Sequence, residues 1–253
     1  MPTWRSSDLA DFGGPFSPTQ ALSLRRPATS ERCYGGTRDR LEVLTGADKL
    51  FLLVVAAAKR FGVKHVVYLS VLGAQFEVGP IAQWHRATEK KLEASGMKWS
   101  FLRPTSFMTN ALSWAPGLKT HGKVFSPTGD GKSVPVDPRD IAAVAVAALT
   151  QPGHDGQAYD LTGPQALSMA EQVAALAKAT GKPFQFVDVT PEVARENMLK
   201  GGMPAAMADA LLQYMAHIKS GQAAAVKYDF EKATGTTPRT FETWAKDHAA
   251  AFA

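Results

Sequence analysis

The ten residues FLRPTSFMTN (101–110) decide the architecture of this chain, because they combine the end of a strand with a polar loop. The apolar run through Leu102 stops at Arg103-Pro104, since proline lacks the N–H that a sheet ladder needs. A polar and aromatic loop follows and ends at Asn110. Open parallel sheets bind ligands beyond strand ends of this kind, so the loop is predicted to form one wall of a ligand site.

The composition is that of a globular protein with a mildly basic surface. The 253 residues are 45% hydrophobic and carry a formal net charge of +5, with a sequence pI near 9.3. This length suits one large α/β domain, or one domain with a small appendage. The sequence shows no basic helix and no ribbon of alternating basic and aromatic residues. The positive charge therefore favours attraction of an anionic cofactor over nucleic-acid binding.

Cysteine, histidine and hydropathy patterns limit the compartment and the chemistry. The single cysteine, Cys33, excludes an internal disulfide and predicts a reducing, cytoplasmic location. The six histidines are scattered without paired ligand spacing, which predicts that there is no metal site. No apolar run is long enough to cross a bilayer, and the first residues lack the apolar segment of a signal peptide. We therefore expect no membrane partner.

From residue 41 onwards, β-prone runs alternate with helical patterns, which is typical of an α/β fold with a mostly parallel sheet and flanking helices. Strands are predicted at residues 50–55, 63–71, 97–104, 157–161 and 184–189, and helices at 56–61, 84–95, 138–149, 168–180, 191–200, 205–220 and 241–253. Residues 122–136 carry a Gly-Asp-Gly turn signal and are predicted to form a hairpin or loop. Ser168 and Glu171 have the spacing of a helix capping box.

Three segments of different composition divide the chain. Residues 1–40 are rich in Arg, Ser, Pro and Gly and show no sustained hydrophobic period. Residues 41–163 carry the alternating strands and helices, and residues 164–253 are mainly helical. We therefore expect an irregular first segment, a sheet-containing core and a smaller helical lobe over the sheet edge.

Five segments occur in an order that resembles one protein family. They are VKHVVYLSVLGA (63–74), HRATEKKLEASGMKWSFLRPTSFMTN (85–110), VDPRDIAAVAVAAL (136–149), YDLTGP (159–164) and TGTTPRTFETWA (234–245). The series resembles the NmrA-like family of atypical short-chain dehydrogenases, which includes NAD(P)H-dependent quinone and azo reductases. The resemblance covers residues 41–248 and implies a Rossmann-type fold that holds NADP or NAD in its cleft. It also implies that residues 41–163 bind the cofactor and that residues 164–253 lie on the substrate side.

The first segment departs from the family pattern. Members usually begin with a strand and a turn of the form G-x-x-G-x-x-G, where a helix N-terminus holds the cofactor pyrophosphate. Residues 1–40 contain nothing of that form, and Gly13-Gly14 is followed by Pro15. The resemblance implies that this segment is an irregular remnant of the first nucleotide-binding unit. Truncation, a frameshifted start and a divergent binding mode each fit the sequence.

Four residues before the central loop are candidates for the site, and the resemblance gives roles to Arg25, Arg26 and His85. Arg25 and Arg26 follow a short β-prone run, where a basic residue reads the adenosine 2′-phosphate, or they form a solvated pair. Ser70 ends a strand, where its hydroxyl faces the crevice or caps a backbone group. His85, the catalytic candidate, takes the place of a cofactor-facing lysine or histidine and could orient the nicotinamide ribose or donate a proton. Alternatively, His85 pairs with Glu89 one turn later on the helix surface.

Three residues of the loop after the strand complete the cofactor site implied by the resemblance, namely Thr105, Phe107 and Asn110. Phe107 would pack on the nicotinamide side, and Asn110 would hydrogen-bond near it. The alternative is that Phe107 and Met108 fill core while Asn110 caps the following turn.

Three functions are open for a chain with these features. The first is an NAD(P)H-dependent oxidoreductase that acts on a small quinone-like or aromatic acceptor by direct hydride transfer. The second is a non-catalytic NAD(P)-sensing protein. It is favoured by the lack of a Tyr/Lys proton relay, since Tyr228 and Lys232 have the relay spacing but lie too late in the chain. The third is a truncated homologue without cofactor binding, whose exposed sheet edge would favour a homodimer.

Overall fold

The computed structural model describes residues 46–253 of the chain. Its α-helices are α1 (Gly46–Arg60), α2 (Gly79–Glu93), α3 (Ala115–His121), α4 (Pro138–Thr150), α5 (Met169–Thr180), α6 (Pro191–Lys200), α7 (Ala205–Lys219), α8 (Asp229–Thr234) and α9 (Phe241–Asp247). Its strands are β1 (His65–Leu69), β2 (Lys98–Pro104), β3 (Lys123–Ser126), β4 (Lys132–Ser133), β5 (Gln157–Leu161), β6 (Leu167–Ser168) and β7 (Gln185–Asp188). Short 3-10 helices cover Ala74–Phe76, Met108–Trp114 and Ala249–Phe252. The candidate residues Arg25 and Arg26 lie outside the described residues.

Three parallel strands form the central sheet, in the order β1-β2-β5. Leu69 stands opposite Leu102, and Leu102 stands opposite Tyr159. Helix α4 packs on one face of this sheet and helix α2 packs on the other. This layering confirms the predicted α/β fold, because parallel strands need helices over both faces to stay buried.

Successive residues of each strand point to opposite faces of the sheet, which gives the two faces different chemistry. Leu102 and Leu161 face α4, where they join a cluster with the fully buried Val144. Arg103 and Asp160 are their sequence neighbours, and they therefore face α2. The alternation places the charged side chains of Arg103 and Asp160 together on one face.

One predicted element is wrong in this structure, and the hairpin alternative for a second is excluded. Residues 50–55 are not a strand, because they lie inside the continuous helix α1. A short run of leucine and valine fits a buried strand or one face of a helix equally well, and the Ala-rich residues that follow continue the helical turn. Residues 122–136 do not form a hairpin, because β3 pairs in parallel with β7 and β4 pairs antiparallel with β6.

Helix α5 begins at the predicted capping box. The Ser168 hydroxyl accepts a hydrogen bond from the Glu171 N–H at 3.1 Å, and the Glu171 carboxylate accepts one from the Ser168 N–H at 2.7 Å. The helix ends at Gly181, whose φ of 71° lies in the left-handed region that glycine adopts most readily. The apolar side of α5 packs on α9 around the fully buried Trp244, which forms the core of the C-terminal part of the chain.

Candidate functional site

The carboxyl ends of the three parallel strands carry a row of polar side chains. Ser70 follows β1, and its N–H donates to the Leu102 carbonyl at 2.7 Å, which extends the register of β1 and β2 by one residue. Arg103 of β2 stands opposite Asp160 of β5. Ser70, Arg103 and Asp160 therefore form one row across the sheet on the α2 face. Ligands of open parallel sheets bind beyond this edge.

Glu89 of α2 joins the row to the helix above it. Its side chain is fully buried, and its two oxygens accept hydrogen bonds from Arg103 Nε at 2.9 Å and Arg103 Nη2 at 2.8 Å. The Ser70 hydroxyl donates to the same carboxylate at 2.6 Å, and Arg86 Nη1 donates at 3.1 Å. Burial raises the pKa of Glu89, but the hydrogen bonds from Arg103 and Ser70 outweigh it and hold the pKa below its usual range. The carboxylate is therefore ionised and held from several sides.

Asp160 ends the row on the side of β5. Burial raises the pKa of its carboxyl group, and the positive charges of Arg103 and Lys227 oppose this effect only in part. The Asp160 backbone N–H donates to Asp229 Oδ2 at 3.0 Å, which ties β5 to the start of α8. The row thus meets an ionised, closely paired carboxylate at Glu89, whereas burial raises the pKa of the carboxyl group of Asp160.

His85 lies one helical turn before Glu89 and meets Tyr68 of β1. His85 Nδ1 and Tyr68 Oη are 2.9 Å apart, and the imidazole packs edge-on against Trp84 with 4.7 Å between ring centroids. Burial lowers the pKa of His85, and the negative charge of Glu89 opposes this effect. The structure thus pairs His85 with Tyr68 and not with Glu89, whose carboxylate is bonded to Arg103 and Ser70. In the tautomer in which Tyr68 donates to Nδ1, Nε2 carries the proton.

The loop after β2 is held by its backbone to neighbouring segments. The Thr105 N–H donates to the Leu161 carbonyl at 3.0 Å, so the loop begins as a continuation of the β2–β5 ladder. Phe107 forms an isolated parallel bridge with Val136, and the Val136 N–H donates to the Ser106 carbonyl at 2.9 Å. These bonds give the loop a defined path at the carboxyl edge of the sheet.

The side chains of this loop divide between the interior and the surface. Phe107 is half-buried and packs against the apolar cluster on the α4 side, whereas Met108 is buried in the cluster around Trp244. Asn110 is exposed within the 3-10 helix that follows. Met108 thus fills core, whereas Asn110 lies at the surface.

The predicted site residues are partly brought together. Ser70 and Thr105 lie at the ends of adjacent strands, and His85 lies on the helix that covers the same face of the sheet. Phe107 lies towards the opposite face. Sequence reasoning missed Tyr68 and Arg103 as partners. An arginine inside an apolar strand was the available signal, since a charge buried there needs an opposite charge.

An open groove of about 670 Å³ lies away from this edge. It is lined by His121, Lys123, Phe125, Val189, Val193 and Asn197. These residues belong to the region around β3 and α6, and none of the predicted site residues is among them. The groove therefore does not coincide with the chemistry at the ends of β1 and β2.

The chain matches the model of the NmrA-like family over residues 50–245. It is 41% identical over 239 residues to the NAD(P)H azoreductase of Xenophilus azovorans, a match that covers 92% of this chain and 83% of the relative. It is 38% identical over 267 residues to the (4-alkanoyl-5-oxo-2,5-dihydrofuran-3-yl)methyl phosphate reductase of Streptomyces griseus, covering 97% of this chain and 93% of the relative.

A solved structure shows the same architecture. The NADPH-dependent quinone oxidoreductase of Escherichia coli in complex with NADPH superposes with a TM-score of 0.71 at 28% identity, covering 82% of this chain and 73% of that chain. The chain therefore belongs to the NmrA-like family, which confirms the family and the Rossmann-like fold predicted from the sequence.

Proposed function

We propose that this member of the NmrA-like family is an NAD(P)H-dependent oxidoreductase that reduces a small quinone-like, azo or other aromatic acceptor. The observation that carries the proposal is the polar row at the carboxyl edge of the parallel sheet, beside the loop 104–110. This is the edge at which α/β sheets bind their cofactors. The identity of 41% with an NAD(P)H azoreductase supports the reaction class.

The residues at this edge have the chemistry that a nicotinamide nucleotide needs. The Thr105 hydroxyl and the exposed Asn110 amide can bond ribose hydroxyls or a carboxamide, and the half-buried Phe107 offers an apolar surface. The Ser70 hydroxyl donates its hydrogen bond to Glu89, so its oxygen can only accept a hydrogen bond from a ligand. When bound, NADP or NAD supplies the hydride, and the protein binds and orients it. Binding of the 2′-phosphate by Arg25 and Arg26 stays a prediction from the sequence.

His85 is proposed to orient the nicotinamide ribose rather than to deliver a proton. Burial favours the neutral imidazole, and in the tautomer in which Tyr68 donates to Nδ1, the ring's remaining donor is Nε2–H. A neutral ring held in this way donates a hydrogen bond from Nε2, whereas full transfer of that proton would leave an imidazolate or require Tyr68 to pass its own proton to Nδ1 and become a tyrosinate. This hydrogen bond and the lowered pKa of His85 support the orienting role in the proposal.

The wider setting belongs to the same proposal. We place the substrate side of the site in residues 164–253 and the protein in the cytoplasm, where reduced nicotinamide and a reduced Cys33 coexist. A homodimer is the proposed assembly. Within the part of the chain that the structure describes, no helix is both long and apolar enough to cross a membrane.

The test is NADPH and NADH oxidation by the purified chain with a panel of quinones and azo dyes, beside a fluorescence titration of both cofactors. We expect saturable cofactor binding and turnover above background. The His85→Asn variant should lose about tenfold in kcat/KM, the effect of one lost hydrogen bond to the ribose. The control His217→Asn alters an exposed residue of α7 and should change nothing. Cofactor binding without turnover would instead support the sensor, and absence of binding would exclude both functions.

A further inference from the structure

We propose that Glu89 is a positioning residue. Its carboxylate fixes the ends of β1 and β2 through Ser70 and Arg103, and thereby sets the path of the two loops that follow these strands. The consequence for cofactor binding rests on the proposed function, whereas the consequence for the loops does not. No part of the inference requires Glu89 to touch a ligand.

The first support is the isolation of Glu89 from water together with the number of its donors. The side chain is 0% exposed, and the side chain of Arg103 is only 11% exposed. A buried ion pair of this kind contributes little net stability compared with well-packed apolar residues, because both charges must be stripped of water. What the pair supplies is direction, since each bond holds two atoms at a set distance and angle.

The second support is the place of the two partners in the chain. Ser70 is the first residue after β1, and Arg103 is the last residue but one of β2. The backbone just beyond them is joined as well, since the Leu72 N–H donates to the Pro104 carbonyl at 2.9 Å. Each side chain therefore anchors the start of the loop that follows its own strand, and the carboxylate of Glu89 is the group that the two anchors share.

The third support is the shape of the contact between Arg103 and Glu89. The guanidinium meets both carboxylate oxygens through Nε and Nη2, which is a bidentate arrangement. A glutamine of the same size would turn an NH₂ group towards the donors of Arg103 or Ser70. A lysine in place of Arg103 would keep the charge and lose the fork. The contact thus depends on ionisation and geometry, and side-chain volume alone cannot replace it.

The test compares Glu89→Gln, Arg103→Lys and Ser70→Ala with the wild type by amide hydrogen exchange in the absence of cofactor. Glu89→Gln should speed exchange about tenfold or more in residues 70–72 and 105–110, while α5 exchanges as before. Arg103→Lys should act mainly on 105–110, and Ser70→Ala mainly on 70–72. The matched control is Glu93→Gln on the same helix, because Glu93 also bonds Arg86 but at the surface.

The second readout is the dissociation constant of NADPH, which should rise about tenfold in Glu89→Gln and stay within twofold in Glu93→Gln. Unchanged exchange in both loops of Glu89→Gln, or equally faster exchange in α5, would overturn the inference. If Glu89→Gln does not fold, the test rests on Arg103→Lys and Ser70→Ala. The inference is then overturned if these two variants do not speed exchange in their separate loops. If the wild type shows no turnover, the proposed function is wrong. The role of Glu89 in the loops is then tested by hydrogen exchange alone.

Discussion

The two faces of the central sheet hold the same strands by different means. Leu102 and Leu161 face α4 and pack with Val144, which is fully buried. Their sequence neighbours Arg103 and Asp160 face α2, where Arg103 is bonded to the buried carboxylate of Glu89 (2.8 Å to Oε2). Apolar burial is proportional to area and has no direction, whereas hydrogen bonds to an ion need set distances and angles. Both faces bury apolar side chains, since Phe101 beside Arg103 is also fully buried, but the α2 face adds an ion pair of set geometry at the strand ends. The comparison teaches that apolar burial can stabilise both faces while the ion pair fixes positions on one.

The largest expected effect is that of removing Arg103 from the α2 face. Arg103→Met leaves Glu89 buried and ionised with the bidentate partner gone, and we expect a loss of about 3–5 kcal/mol in the free energy of unfolding. Urea denaturation measures it. The double variant Glu89→Leu/Arg103→Met removes the stranded charge and should recover much of the loss. A single variant that costs less than about 1 kcal/mol would show that this face does not depend on the ion pair.

The α4 face is tested by a leucine truncation. Leu102→Ala should cost about 2–4 kcal/mol, because it removes buried methyl groups and leaves a cavity. The control is Leu149→Ala on α4, whose side chain is 58% exposed and should change stability by no more than about 0.5 kcal/mol. Both are measured by urea denaturation. Equal losses in the two variants would contradict the assignment of Leu102 to the core.

The faces should also differ in their response to pH. The pKa of Glu89 is lower in the folded chain than its ordinary value of 4.5, so its contribution to stability is fully present above that pH and is lost as the pH falls through the folded value. Glu89→Gln should therefore flatten the acid limb of a stability profile measured from pH 3 to 7. Leu102→Ala should lower the whole profile and keep its slope. If the stability of Glu89→Gln falls with decreasing pH as steeply as that of the wild type, other carboxylates cause the acid limb.

The smallest expected effect concerns Tyr68 and His85 on the α2 face. Tyr68→Phe removes one half-buried hydrogen bond and should cost about 0.5–1.5 kcal/mol. Its sharper readout is the ¹⁵N NMR spectrum of His85, where loss of the Tyr68 donor should shift the proton between Nδ1 and Nε2. The pKa of His85 lies below its ordinary value of 6.5, so the neutral ring stabilises the fold above that pH and this contribution fades as the pH falls. Tyr228→Phe changes a tyrosine that is 65% exposed and should leave the His85 signals unmoved.

Local patterns predicted most of the described elements. The short strand predicted at 157–161 matches β5, and the Pro191 start with the Gly201 stop gives α6 its observed bounds. Such elements carry their signals within themselves, as periodicity and end residues. The strand expected at residues 50–55 failed because a short apolar run does not distinguish a strand from a buried helix face. The hairpin at 122–136 failed because β3 finds its partner in β7, about 60 residues away.

The sequence predicted where the candidate site lies, but it did not predict the hydrogen bonds within the site. The strand ends at Ser70 and Pro104 located the carboxyl edge, since proline and serine stop a strand locally. The partners of Glu89 could not be read in the same way. On α2 alone, Glu89 can reach Arg86 at the preceding turn, whereas Ser70 and Arg103 lie 19 and 14 residues away.

The sequence by itself determined that this chain alternates strands and helices, where the strands of the central sheet end, and to which family it belongs. Tertiary structure alone decided that Glu89 bonds Arg103 and Ser70 and that His85 bonds Tyr68. The physical reason is the range of the forces. Backbone sterics and hydrophobic period act over a few residues, but a buried carboxylate takes whichever donors the docking of α2 onto β1 and β2 brings within hydrogen-bond distance.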